Sequence, residues 1–507
     1  MLRTNRRKIV TGGAAILGLA TPTLLRGQGM GGGMMDGMGH GGMTGRSTVG
    51  TPEPGAPFRP LPELDARGGT LNLSAGAGTT RFGAGAPTAT MGYSAPDAAM
   101  SYLGPTLRMR RGTTVAARVA NATPVPVSVH WHGLNVPSPS DGGAPQSVIA
   151  PGAAWDATLP VAQPAATLWY HTHVHGRTAP DLWAGLAGAL IVDDDATDAL
   201  GLPSTPGVDD FVLILQDKRF GSDGAAIYDP GLMEIMHGYV GDVVLANGQF
   251  APEAAVPAGP VRLRLINAST SAQHAIAFDR AAVLIGVDQG LLPAPVEVGS
   301  VTLAPGERAE VVIDMGACGA ATPRVTARAM AGGMMGGGMA GGSASHALMT
   351  LRADPARPAR GAVPARLTSE EPDLSAPDVT RRFALQENMG PLQMARGMVG
   401  RGPVMAINGE PFDAGRVDFT APRGAVERWR VTTDSMAHPF HAHGLKFRIA
   451  DPRRPEETGW KDVAVIDGTR DLLVQIEATT ERGVPFMFHC HILEHEDAGM
   501  MGQFLTA

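Results

Sequence analysis

His489-Cys490-His491-Ile492-Leu493-Glu494-His495, followed a few residues on by Met500, decides how the rest of the chain is read. In a β-strand successive side chains point to opposite faces, so His489 and His491 share one side while Cys490 takes the other. Such a stretch places two metal sites back to back. The chain holds two cysteines, Cys318 and Cys490. A disulfide between them would consume the one thiolate set among imidazoles, so Cys490 reads as a ligand and Cys318 as a free, buried thiol. This usage argues against zinc fingers. One thiolate with two imidazoles and a weak, distant thioether is the ligand set of a blue-copper electron-transfer centre. Cys490, His495 and Met500 supply part of it, and one further imidazole must come from elsewhere, along with partners for His489 and His491.

The supply lies upstream in His438-Pro439-Phe440-His441-Ala442-His443. In an extended chain His441 and His443 share a face and His438 takes the opposite one. His438 therefore joins the set of Cys490, and His441 with His443 joins His489 and His491. Two more pairs, His130-Trp131-His132 and His171-Thr172-His173, follow the strand-like segments Val127-Ser128-Val129 and Leu168-Trp169-Tyr170. Eight imidazoles then converge, more than one metal ion needs. A single His-x-His pair is weak evidence. Ten of the fifteen histidines in four segments of consistent parity is a different matter. His40, His175, His237, His274 and His346 lie outside the pattern and read as ordinary surface or core histidines.

These four segments, in this order and spacing, resemble those of the multicopper oxidases, and the tail through Glu496-Asp497-Ala498-Gly499-Met500-Met501 resembles the bacterial copper-efflux oxidase and laccase branch. The resemblance implies four copper ions. His438, Cys490, His495 and Met500 would be type 1 ligands, and His130 with His441 type 2 ligands. His132, His171 and His491 would hold one type 3 copper, and His173, His443 and His489 the other. It also implies a laccase or cuprous oxidase that takes single electrons from Cu(I), phenols or aromatic amines at type 1 copper. Cys490 and its two histidine neighbours would carry them to the trinuclear cluster, where O2 is reduced to water.

Asp141 and Glu496 match acidic positions that the family uses around this cluster, where a carboxylate can pass protons. Asp434 and Met436 share parity with His438 and match positions where the copper-efflux branch seats Cu(I). The plainer readings are a turn aspartate in Ser140-Asp141-Gly142-Gly143, a solvated Glu496, a turn Asp434 and a core Met436. A copper-binding or scaffold protein without turnover is the alternative to an oxidase, but scaffold relatives typically lose ligands and this set is complete. A copper nitrite reductase needs fewer imidazoles.

Three segments look like copies of one another: Val115-Ala116-Ala117-Arg118-Val119-Ala120-Asn121, Val261-Arg262-Leu263-Arg264-Leu265-Ile266-Asn267 and Val426-Glu427-Arg428-Trp429-Arg430-Val431-Thr432. Their starts are 146 and 165 residues apart, a domain-sized period. Each alternates as a strand does, helical periodicity is scarce, and Gly and Pro punctuate densely. The expectation is an all-β chain of three sandwich or barrel domains over 59–200, 205–355 and 380–507, which the resemblance names as Greek-key cupredoxin domains. The first and third copies run on into histidine pairs. The second runs on into Ser271-Ala272-Gln273-His274-Ala275-Ile276-Ala277, so the middle domain reads as a spacer and the cluster as lying between the outer two.

Residues 1–27 open with Arg3, Arg6, Arg7 and Lys8 and run apolar from Ile9 to Ala20, the layout of a secretory signal. Arg6-Arg7 resembles a twin-arginine signal, a route for proteins exported folded, so a periplasmic or secreted location follows. The apolar run is short for a membrane span, and no stable membrane association is expected. Residues 28–58 form a tether rich in glycine and methionine, suited to flexibility or to soft capture of Cu(I). Met330, Met334, Met335 and Met339, and Met389, Met394, Met398 and Met405, add two further methionine groups. The second sits where copper-efflux oxidases carry a richer insertion, and thinner cover there would admit larger aromatic donors. Net charge is −7, and loss of the five basic residues of 1–27 takes it to −12. That field disfavours nucleic acid and attracts cations. The remaining expectation is a monomer.

Overall fold

The structure is a computed structural model that describes residues 53–143, 145–316, 319–330, 343–368, 374, 377, 379–387 and 405–507. The leader at 1–27, the tether before residue 53, His40, Cys318 and the methionines at 334, 335, 339, 389, 394 and 398 lie outside the described residues.

The three similar segments become strands Thr114–Asn121, Pro260–Asn267 and Val426–Thr433. Each pairs in parallel with a strand that precedes it and antiparallel with one that follows. For the first, these partners are Thr70–Thr80 and Ala154–Pro160. For the second they are Asp210–Phe220 and Arg308–Asp314, and for the third Val379–Glu387 and Thr469–Gln475. One pairing plan is thus used three times.

Alternate residues of the first and third strands are buried, as expected of a sheet with one wet face. The middle strand departs from this: its outward Arg262 and Arg264 are buried as well. Arg262 pairs with Glu310, while Arg264 reaches Asp210 and the Thr167 hydroxyl at 2.8 Å. Thr167 belongs to strand Ala166–His171, so the face that periodicity assigns to solvent is pressed against the first sheet pair through compensated charges.

Two four-stranded sheets make the first unit, and Leu71, Leu73, Val115 and Val119 from one meet Leu107, Leu168 and Leu190 from the other. A nine-stranded and a three-stranded sheet make the second. Two five-stranded sheets make the third, closed over Phe383, Trp429, Phe440, Phe486, Phe488 and Phe504. Among the described residues no helix is long and apolar enough to cross a membrane.

Trp429 sits at the centre of that aromatic core, fully buried, with its Nε1 donating to Glu427 Oε2 at 2.8 Å. Trp429→Ala leaves a cavity that rigid neighbouring sheets cannot fill. It is expected to cost about 3–5 kcal/mol, read as a lowered denaturant midpoint with unchanged slope.

Candidate metal centres

Strands His438–Ala442 and Phe486–Cys490 pair antiparallel, with Phe440 opposite Cys490 and His441 opposite His489. Directly opposed residues project to the same face, so His441 and His489 lie on one side of the sheet and Cys490 on the other. Leu493–Asp497 then forms a short helix that turns His495 back toward the cysteine. The result on that side is compact: Cys490 Sγ lies 3.4 Å from His438 Nδ1 and 3.8 Å from His495 Nδ1. Met500 is buried in the same core and its carbonyl accepts from Cys490 N at 3.1 Å.

The outer nitrogens of both imidazoles are occupied. His495 Nε2 faces the Met236 carbonyl at 3.2 Å, and His438 Nε2 faces Glu387 Oε1 at 3.3 Å. Burial acts against ionisation of Glu387, yet its hydrogen bond to His438 and the nearby His495 hold its pKa below the ordinary value. Neither Met236 nor Glu387 was marked by sequence.

On the opposite face, eight histidines from 130 to 173 and from 441 to 491 come together, all buried. A neutral imidazole has one N–H, so a ring nitrogen that faces a carbonyl or carboxylate must donate, and the other is then bare. Nδ1 donates to Asp141 O from His130 at 3.0 Å, to Thr172 O from His171 at 2.8 Å and to Asp462 O from His441 at 2.8 Å. It donates to Asp141 Oδ2 from His443 at 2.8 Å and to Cys490 O from His489 at 3.0 Å. The bare Nε2 atoms turn inward, and those of His130, His171 and His441 have no protein partner. His489 Nε2 lies 3.3 Å from that of His173 and 3.2 Å from that of His443. Several buried acceptors aimed at one another without donors would be costly if left so, and that is the arrangement a metal satisfies. The ligand atoms of His130, His132 and His441 lie within 4.8 Å of one another, as do those of His132, His171 and His491, of His173, His443 and His489, and of His438, Cys490 and His495. Burial also pushes the Cys490 thiol well up, so a thiolate there needs a cation beside it. The residues fit copper in both places.

Asp141 lies in the short helix Ser138–Asp141, buried, with Oδ1 unpartnered. Gly142 follows at φ 83°, a conformation suited to glycine. Glu496 is equally buried. Its Oε1 accepts from Thr178 Oγ1 at 2.8 Å, and its Oε2 lies 3.1 Å from His489 Nδ1. That nitrogen directs its proton to Cys490 O, which leaves Oε2 without a hydrogen bond of proper angle. Burial acts to raise the Glu496 pKa, but His173, His489 and Thr178 together hold it well below the usual carboxylate value.

Asp434 is exposed and forms no ion pair among the described residues, whereas Met436 is only 8% exposed and belongs to the core around Cys490. Of the other histidines, His274 is buried against Ser269 Oγ at 3.0 Å, His175 packs on Phe412, and His346 donates to the Ala344 carbonyl region at the surface.

Models of the multicopper oxidase family match residues 91–197 and 379–507. A cell division protein FtsP from Xenorhabdus nematophila is 35% identical over 410 residues, 79% of this chain and 82% of that protein. A solved laccase-like multicopper oxidase, CueO from the lignin-degrading bacterium Ochrobactrum sp., is 36% identical and covers 89% of this chain and 100% of its own, with a TM-score of 0.78. McoA multicopper oxidase from Aquifex aeolicus is 27% identical over 89% of this chain and 99% of its own, with a TM-score of 0.76. Fold, site and relatives define a cupredoxin-like copper protein. The chain belongs to the multicopper oxidase family.

Burial foremost, then repulsion among neighbouring imidazoles, holds the pKa values of His132, His171, His441, His443 and His491 well below the ordinary histidine value. Burial alone dominates at His274, lowered to about 4. The unfolded chain therefore takes up protons near the ordinary histidine pKa while the folded one refuses them, so stability must fall as pH drops below that value. In urea melts of metal-free protein, the midpoint is expected to decline steeply from about pH 7 to about pH 5. A flat profile would contradict the cluster's burial.

Proposed function

We propose that this chain is an exported oxidase that takes single electrons from Cu(I), or from phenols and aromatic amines, and uses them to reduce O2 to water. The observation that carries the reading is the set of buried imidazole nitrogens without donors, gathered in groups of three beside a further group of two imidazoles and a buried cysteine. His438, Cys490, His495 and Met500 would hold type 1 copper, and His130 with His441 the type 2 ion. His132, His171 and His491 would hold one type 3 ion, and His173, His443 and His489 the other. When bound, four such ions supply one-electron acceptance on one face of the sheet and multi-electron O2 reduction on the other.

The chain's own part is to connect and to insulate. Cys490 and the adjacent His489 and His491 join the faces by covalent bonds, and full burial keeps bulk water from the imidazoles. Asp141, with Oδ1 free of protein partners, and Glu496, with Oε2 beside His489 Nδ1, hold and pass protons beside the histidines. Asp434 at the surface and the buried Met436 two residues on support Cu(I) as donor, since a carboxylate draws the cation and a thioether suits its softness. The mature charge of −12 supports cationic donors too. The Ochrobactrum relative, described by its oxidase activity towards lignin model compounds and lignosulfonate, supports aromatic ones. The reading includes export of the 1–27 leader by the twin-arginine route, the tether at 28–58, and domain limits at 59–200, 205–355 and 380–507.

Oxygen uptake by copper-loaded protein, compared across Cu(I), Fe(II), Mn(II), a dimethoxyphenol and bilirubin, tests the reading and ranks the donors. Asp434→Ala with Met436→Leu is expected to depress Cu(I) oxidation at least about tenfold more than phenol oxidation, as loss of a two-ligand substrate site should; equal losses count against that site. Asp141→Asn should slow O2 consumption by about 100-fold or more while the blue colour stays. A second reading, a scaffold role without turnover, is favoured by the cell division name of the Xenorhabdus relative. Failure of every donor to drive oxygen uptake in a fully loaded sample would select it.

A further inference from the structure

The middle unit, which sequence assigns to spacing, reaches the histidine cluster through one carboxylate. His132 is turned the opposite way from the five cluster histidines that donate through Nδ1. Its Nε2 donates to Asp462 Oδ1 at 3.1 Å, and its Nδ1 is the atom left bare. The same Asp462 uses its main-chain carbonyl to accept from His441 Nδ1 at 2.8 Å. The two rings that it orients stack, 3.8 Å apart and 11° from parallel. One residue thus sets the rotation of a histidine from the first unit and of another from the third.

Asp462 is itself held from the middle unit. Arg308, fully buried, gives Nη1 to Oδ1 and Nη2 to Oδ2, each at 2.6 Å, and Gln289 Nε2 adds a donor to Oδ2. Arg308 is fixed in turn by the carbonyls of Gly306 at 3.0 Å, Asp288 at 2.7 Å and Thr167 at 3.2 Å. Next to it Lys461, also fully buried, bridges Asp288 at 3.0 Å and Glu307 at 2.8 Å. Gly133, directly after His132, stands at φ 89°, and a Cβ there would come within 2.8 Å of Arg308 Nη2 and Asp462 Oδ2. The chain clears that room for the ion pair. A forked guanidinium on a carboxylate fixes the carboxylate plane as well as its charge.

We propose that Asp462 is a positioning residue of the cluster: held by Arg308, it compels His132 to present Nδ1, the reverse of the other donors, and aligns His441 with it. The inference rests on the copper reading above. A carboxylate can only accept, so it fixes the proton on His132 Nε2 and keeps Nδ1 free for metal. An amide in its place can donate to Nε2 instead, which moves the ring proton onto Nδ1 and removes that ligand.

The test is Asp462→Asn in the full chain, loaded with copper beside the parent protein. The expected result is an undiminished visible band from the Cys490 site, with loss of the type 2 paramagnetic signal and of the type 3 near-ultraviolet absorption, and cluster copper affinity weakened about 10–100-fold. Since Asp462→Asn takes away the bidentate anion of the buried Arg308 and leaves it only Asp288 at 3.8 Å, the double variant Asp462→Asn with Arg308→Met is measured alongside, relieved of that burden. A blue variant of either kind with full copper content and unchanged type 2 and type 3 signals overturns the proposal. So does a double variant that never becomes blue, because Asp462 would then be a folding element. A parent protein that binds no copper at all instead removes the underlying oxidase reading.

Discussion

A neutral imidazole carries one proton on two nitrogens, and this arithmetic governs the interior. Each buried ring can satisfy one nitrogen with an N–H bond to the surrounding protein, and the other must then find a hydrogen-bond donor or a cation, or stay unsatisfied at a cost. The fold supplies outer acceptors one by one: carbonyls for His130, His171, His441 and His489, and carboxylates for His132 and His443. What these six rings leave facing inward are bare acceptors, and those of His130, His132, His171 and His441 have no protein partner. A site of this kind is organised before any metal arrives, and the protein carries the electrostatic cost of that preparation as lowered histidine pKa values.

The second organising constraint is the pleat of one strand pair. With His441 opposite His489 and Phe440 opposite Cys490, the two faces of a single ladder acquire different chemistry over a thickness of one sheet. A slip of one residue would exchange them, so register here has a functional penalty as well as the packing penalty of exposing Phe440 and Phe488. The aromatic core that surrounds Trp429 is the part of the third unit that pins the register.

Much of this was legible in the residues because it is local. Parity along His438–His443 and His489–His491 survives in the strand pairing, and the three similar segments became three strands with the same two neighbours. The features that escaped are those made by distant partners. Asp462 meets His132 across 330 residues and Arg308 across 154, and no spacing rule announces such pairs. Glu387 and Met236 cap His438 and His495 from another strand and another unit. The middle strand also defeated periodicity. Arg262 and Arg264 look like solvent residues, and only Glu310 and Asp210 beneath them explain their burial.

The cluster draws its histidines from residues 130–173 and 441–491, so the intervening chain forms one long loop closed at the cluster. A bound metal set would therefore act as a reversible cross-link, and closing a loop of that length removes much freedom from the unfolded chain. Its loss would loosen the molecule as a whole. Resistance to heat and to proteases becomes a gauge of metal occupancy, independent of any turnover.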